Sequence, residues 1–316
     1  MRERTAFLLF LILFLVGFDP LWATTCNSWW GDETCLTVHS DLDLGTIDSS
    51  SYCGATPDGG GAFQPLVLLD NAVDVVRNGW LNLSWILEVR VSSASGIDPS
   101  CLCWRRSDTA GDYLPFSGFG DWMEVAAGRG ATETTSLLID YEYLPATTDP
   151  PGDYAIILNY RVTVSWGSYQ LYAVYQDVTL YLHVEEWIVI ALHSSIDLGT
   201  IDGSGYVMGS GLPPCDALGN GVFIVSNSPT GWDISLQAGS IATPPCYSSD
   251  LLSVFFWEID NSEFHPASAL AIQPVIVASS NSPGMAQHSL GYRYTPTTAE
   301  CGGDYSITLI YTATAR

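Results

Sequence analysis

Residues 141–164, "YEYLPATTDPPGDYAIILNYRVTV", and residues 292–315, "YRYTPTTAECGGDYSITLIYTATA", place Tyr141 over Tyr292, Pro145 over Pro296 and Tyr154 over Tyr305 at a constant spacing of 151. From Tyr154 onward every second residue reads Tyr, Ile, Leu, Tyr, Val, Val, and those between read Ala, Ile, Asn, Arg, Thr. The second copy repeats the row as Tyr305, Ile307, Leu309, Tyr311, Ala313. A period of two means a strand with one face buried and the other in water. A chain that writes such a strand twice, with the same approach to it, is a duplicated β-protein.

Other stretches recur at offsets within three residues of this one, 154 and 152. "HSDLDLGTID" (39–48) returns as "HSSIDLGTID" (193–202), and "NGWLNLS" (78–84) returns as "TGWDISL" (230–236), setting Trp80 over Trp232. These two Trp residues are expected to fill the two cores. Short apolar runs separated by Gly, Pro, Asn and Ser supply further strands, and no helix of ten or more residues is predicted beyond the N-terminal segment. The expected fold is all-β: two tandem immunoglobulin-like antiparallel β-sandwich domains, residues 24–186 and 187–316. Tyr172–Val184 alternates as one more strand, which completes the first sandwich, opens the second, or is an insertion.

Residues 1–23 read as a signal peptide, with Arg2 and Arg4 ahead of the apolar run Ala6–Gly17 and a short region ending at Ala23. Twelve apolar residues fall short of a membrane span, so a secreted or cell-surface protein without a transmembrane segment after cleavage is expected. The chain carries 34 acidic residues against 10 basic ones, all of them arginine, for a net charge of −24. Nucleic acid is excluded as a partner, because binding it needs a basic surface. Lysine is absent, which also excludes crosslinks through a lysine side chain. Eight cysteines, Cys26, Cys35, Cys53, Cys101, Cys103, Cys215, Cys246 and Cys301, are disulfide candidates in an exported chain. Proximity suggests Cys26 with Cys35 and Cys215 with Cys246.

The order "LDLGTI", then "GW-x-x-S" or "GW-x-I-S-L", then a closing "GDY" strand resembles bacterial exported surface β-sandwich proteins of the spore coat protein U family and WxL-domain type. The opening motif has Leu before Gly45 and Gly199 where those families tend to have Phe, and the second WxL tryptophan motif is missing. The resemblance implies a structural or adhesive surface protein, in some members assembled into fibres.

No catalytic motif is present, and no enzyme activity or cofactor is expected. His39 and His193 occupy one repeat position, which suits a structural role. Asp43, Asp48, Asp197 and Asp202 flank the repeated "LGT" and could hold calcium, but carboxylates bonding a turn backbone explain them more simply. With 11 Trp and 16 Tyr, the rival reading is a carbohydrate-binding module in which Trp29, Trp30, Trp104 and Trp122 contact glycan. The preferred function is a non-catalytic structural or adhesive protein whose partners are other copies of itself or cell-surface components. Self-assembly would proceed by strand addition, with the N-terminal stretch "TTCNSWWGDETCLTV" as donor.

Overall fold

The computed structural model describes residues 22–109, 111–200, 214–297 and 301–316, so the predicted signal segment up to residue 21, and Asp202, lie outside the described residues. Its strands in chain order are β1 (Trp22–Trp29), β2 (Asp32–His39), β3 (Asp41–Ile47), β4 (Tyr52–Cys53), β5 (Ala62–Phe63), β6 (Leu66–Asn78) and β7 (Leu83–Ala94). Then come β8 (Leu102–Arg106), β9 (Leu114–Pro115), β10 (Met123–Gly130), β11 (Glu133–Tyr143), β12 (Gly152–Trp166), β13 (Tyr169–Val184) and β14 (Ile188–Leu192). The last are β15 (Cys215–Ser226), β16 (Trp232–Ala242), β17 (Phe255–Ile259), β18 (His265–Pro266), β19 (Val275–Ser280), β20 (Gly284–Tyr294) and β21 (Ser306–Ala315). Only short 3-10 turns interrupt them among the described residues. The chain is all-β, and it divides into two units.

The first unit holds the described residues up to Ile47, with Pro65–Pro145 and Gly152–Val184. One of its sheets runs β1-β2-β6-β11-β8-β9 and the other β10-β7-β12-β13-β3. Alternation decides the inner face: Ile156, Leu158, Tyr160 and Val162 of β12, and Tyr172, Val174, Val178, Leu180 and Leu182 of β13, are all buried. Each such side chain taken from water contributes about 1.5–3 kcal/mol. The sheets meet through polar contacts as well, Tyr141 hydroxyl with Tyr160 hydroxyl and Thr34 Oγ1 with Tyr172 hydroxyl at 2.8 Å. β13 lies between β12, antiparallel, and β3, parallel. Tyr172–Val184 therefore belongs to the first unit.

One expected core residue is misplaced. Trp80 is 67% exposed, and the tryptophan buried in its stead is Trp85. Ladder register explains this: Trp85 opposes Val164 on β12, and Trp232 opposes Ala315 on β21, Val164 and Ala315 being equivalent in the repeat. Trp85 thus occupies the place of Trp232, and the matching Gly-Trp dipeptide at Trp80 falls in the preceding turn. A Cβ on Gly128 of the neighbouring β10 would come within 2.6 Å of the Trp85 ring.

The second unit holds Asp48–Gln64, Ala146–Pro151 and the described residues from Glu185 onward. Its sheets run β14-β15-β20-β17-β18 and β19-β16-β21, with β4-β5 as a small hairpin. Val222, Ile224, Trp232, Ile234, Leu236 and Leu290 form the core. The tyrosine pair recurs at the equivalent positions, Tyr292 and Tyr311, with hydroxyls 2.5 Å apart. Tyr52 stacks on Trp187 at 6.2 Å and Phe63 meets the same ring edge-on at 5.1 Å, so an early segment of chain joins Phe223 and Val225 in a second apolar cluster.

Candidate functional site

The repeated Asp residues build backbone. Asp43 accepts a hydrogen bond from Gly45 N, and Asp197 from Gly199 N, each at 2.8 Å. Both glycines have positive φ, 103° and 89°, so each "DLG" is the same turn held by its own carboxylate. Asp48 caps a 3-10 turn, accepting from Ser50 N, Ser50 Oγ and Ser51 N. The Ser50 hydroxyl foremost holds this carboxyl below its ordinary range, although burial opposes the shift. His39 packs edge-on against Trp22 at 3.9 Å, and burial lowers its pKa. His193 is exposed.

Cys26 and Cys35 are joined across the β1–β2 hairpin, and Cys246 bonds Cys301. The pairing of Cys215 with Cys246 is overturned by topology. Cys246 follows β16 and Cys301 precedes its ladder partner β21, where Ala242 opposes Ser306; Cys215 instead starts β15, opposite Tyr294. Cys53, Cys101, Cys103 and Cys215 form no disulfide among the described residues. The Cys103 thiol is buried, which raises its pKa.

Two of the four proposed glycan contacts are unsuited to that role. Trp104 is only 3% exposed, because β8 presses it into the core beside Phe116. Trp122 is half-buried, with the Arg90 and Arg161 guanidinium groups 4.4 and 4.0 Å from its ring centroid. Arg161 also pairs with Glu88 at 2.7 Å. This ring serves a cation–π cluster on the outer sheet face.

Trp29 and Trp30 belong to a larger group. Trp29 opposes Asp32, Glu33 opposes Asn78, Arg77 opposes Glu133, Leu83 opposes Gly130, Ser84 opposes Ser165 and Trp166 opposes Tyr169. Four turns, β1–β2, β6–β7, β10–β11 and β12–β13, therefore share one end of the first unit. Trp30, Trp80, Trp166 and Tyr169 stand out from that end at 77, 67, 62 and 78% exposure. Trp29 stacks on Trp30 with centroids 5.7 Å apart and planes inclined by 28°. Trp80 Nε1 donates to the Trp30 carbonyl at 3.1 Å.

A buried ion pair supports these turns from below. Asp32 and Arg77 are both fully buried and 3.8 Å apart. Asp32 Oδ1 accepts from Leu81 N at 3.2 Å, while Arg77 Nη1 donates to Leu83 O at 3.1 Å and to Gly130 O. One guanidinium and one carboxylate thereby fix three of the four turns. Gly79 has no alternative, since a Cβ there would lie 1.6 Å from Asp32 Oδ1. The sequence places Trp80 in a core and does not single out Trp166 or Tyr169, because all three border runs that read as strand. The available signal was a Trp beside a Gly in a turn between alternating runs: Trp30-Gly31, Gly79-Trp80 and Trp166-Gly167.

The second unit has its own distinctive surface. β21 pairs with β16 alone among the described residues, whereas its counterpart β12 is flanked by β7 and β13. Ile156, Leu158, Tyr160 and Val162 have no exposed surface; the equivalent Ile307, Leu309, Tyr311 and Ala313 are only half-buried. The segment equivalent to β3 contributes Ile196 and Leu198 to the core, but its described residues up to Thr200 form no ladder.

No described protein family matches the chain, and no curated protein matches it. Among solved structures, it is similar to the CsuC-CsuE chaperone-tip adhesion subunit complex of archaic chaperone-usher Csu pili from Acinetobacter baumannii. Identity is 11% over 88% of this chain and 99% of that one, with a TM-score of 0.36. The CupB6 tip adhesin from Pseudomonas aeruginosa gives 6% identity over 94% and 93%, at 0.33. AggA, the major subunit of aggregative adherence fimbriae type I from Escherichia coli, gives 12% over 51% and 95%, at 0.25.

Proposed function

We propose that this is an exported, non-catalytic structural or adhesive surface protein that joins other protein molecules by strand addition at the edge of β21 left open among the described residues. The half-buried row on β21 carries the reading, because the same row in the first unit is sealed by β13. A free edge with an unfinished apolar face is a template for one more strand, with backbone hydrogen bonds giving affinity and alternate side chains giving selectivity. The occupant is an extended segment of another chain with bulky apolar residues at every second position, as in Tyr172, Val174, Val178, Leu180 and Leu182. The N-terminal stretch is a poor donor: β1 is exposed along most of its length and tied to β2 by Cys26–Cys35.

The test is to extend the mature chain beyond Arg316 with a second copy of its own residues 166–184, so that the β12–β13 hairpin can form on β21. The second unit's unfolding transition should rise by several degrees, β21 amides should gain hydrogen-exchange protection, and any concentration-dependent association should disappear. A control extension with Ser at the places of Val178, Leu180 and Leu182 should do none of these. Equal melting and exchange for all three proteins would refute the reading; association of the unextended chain with itself would identify the donor as a second copy.

A further inference from the structure

We infer that the four-turn end of the first unit is a binding surface for neutral polysaccharide. This inference rests on the first unit alone and is independent of the β21 edge. Three observations carry it.

The first is composition against background. Ser28–Gly31, Asn78–Asn82, Gly130–Thr132 and Ser165–Gln170 contain no charged residue, in a chain whose net charge is −24. They offer flat aromatic rings among amides and hydroxyls, Asn78, Asn82, Ser168 and Gln170. Rigid Trp and Tyr anchors with Ser, Gly and Asn around them are the chemistry of recognition loops. Single exposed apolar residues are ordinary, but a group of large exposed rings at one end, rimmed by polar residues, marks an interaction site. Ring faces suit the C–H faces of a pyranose, and the amides suit its hydroxyls. An aliphatic partner would leave those amides unpaired, and a charged polysaccharide would find no counter-charge within the four turns themselves.

The second is strain. Trp30 has φ of 52° and is followed by Gly31 at 81°, so both turn residues lie in the left-handed region. Asn-Gly is the sequence that such a turn favours, and a bulky residue there is costly. The turn carries a Trp that its own stability disfavours, which points to a use for the ring.

The third is preorganisation. Trp30 is held by Trp29 on one side and by Trp80 Nε1 at its carbonyl, and the turns beneath are fixed by the buried Asp32–Arg77 pair. Rings locked before binding lose little freedom on meeting a ligand.

The experiment uses the full mature chain on immobilised β-1,4-glucan, mannan and galactan, with alginate as a charged polysaccharide and octyl-agarose as an apolar surface. Retention is expected on at least one neutral polysaccharide, changed little between about 0.1 and 1 M salt because no ion pair is involved. Trp30→Asn should melt at a higher temperature than the wild type, yet bind about tenfold or more weakly, a combination that a merely structural ring would not give. Trp166→Ala, which breaks no described hydrogen bond, should weaken retention with unchanged melting. The proposal is overturned by retention on octyl-agarose alone, by salt-sensitive retention on alginate alone, by no retention on any matrix, or by equal binding of wild type and Trp30→Asn.

Discussion

Asp140 is buried between strands of the first unit, accepting hydrogen bonds from Ser107 Oγ at 2.6 Å, Asp70 N at 2.9 Å and Arg105 Nε at 2.9 Å. Burial by itself would raise its pKa, but these three donors together outweigh burial and hold it below the ordinary 3.8. A depressed carboxylate adds stability that is complete above its unfolded pKa and is lost as pH falls through the folded one. The contribution of Asp140 to the first unit should therefore stay nearly constant down to about pH 4 and be lost below it. Asp140→Asn should cost about 1–3 kcal/mol at pH 7, and its deficit against wild type should shrink as pH approaches 2.5, as followed by calorimetry. At this scale much was legible. The turn role of Asp43 and Asp197 could be read because a carboxylate two residues before a glycine has a local partner. Trp85 could not, since the contact that buries it is made with Val164 and Gly128, residues distant in sequence.

Among the elements, β21 depends on its neighbours more than any single residue shows. It is held on one side by β16, and at its start by the Cys246–Cys301 bond, with Tyr305 hydroxyl donating to Cys301 O at 2.8 Å and accepting from Cys301 N at 2.9 Å. Replacing both cysteines with alanine should destabilise the second unit by about 2–4 kcal/mol. Hydrogen exchange should quicken in β21 and β16, with the first unit's transition unmoved; protection equal to wild type would contradict this. Gly128→Ala on β10 should cost about 1–3 kcal/mol by crowding Trp85, measured as a lower denaturant midpoint for the first unit. The strands themselves were legible from alternation, and so was the extra strand, read as Tyr172–Val184 and observed as Tyr169–Val184. What alternation does not encode is which edge a strand joins: β13 accepts β3 in parallel, a long-range pairing that no local pattern specifies.

Across the whole molecule, duplication explains why both units share the tyrosine pair and the Asp–Gly turn. It does not explain why Asp48–Gln64 packs with residues from Glu185 onward. Tyr52 and Phe63 cover Trp187, a contact between segments more than a hundred residues apart, which composition of the intervening chain does not announce. A fragment spanning residues 185–316 should accordingly unfold cooperatively but at a lower temperature than the second unit of the full chain. It should also bind an apolar dye, and adding residues 48–64 through a linker should reverse both changes. There is a consequence for how the polypeptide is made. A chain that emerges from its N-terminus presents Tyr52 and Phe63 well before Trp187 exists, so the first unit can close around its own strands while this early loop waits for its partner. Completion of this aromatic cluster thus reports that synthesis has passed Val225, and truncation anywhere between Val184 and that point leaves two aromatic side chains without the full surface they were meant to cover.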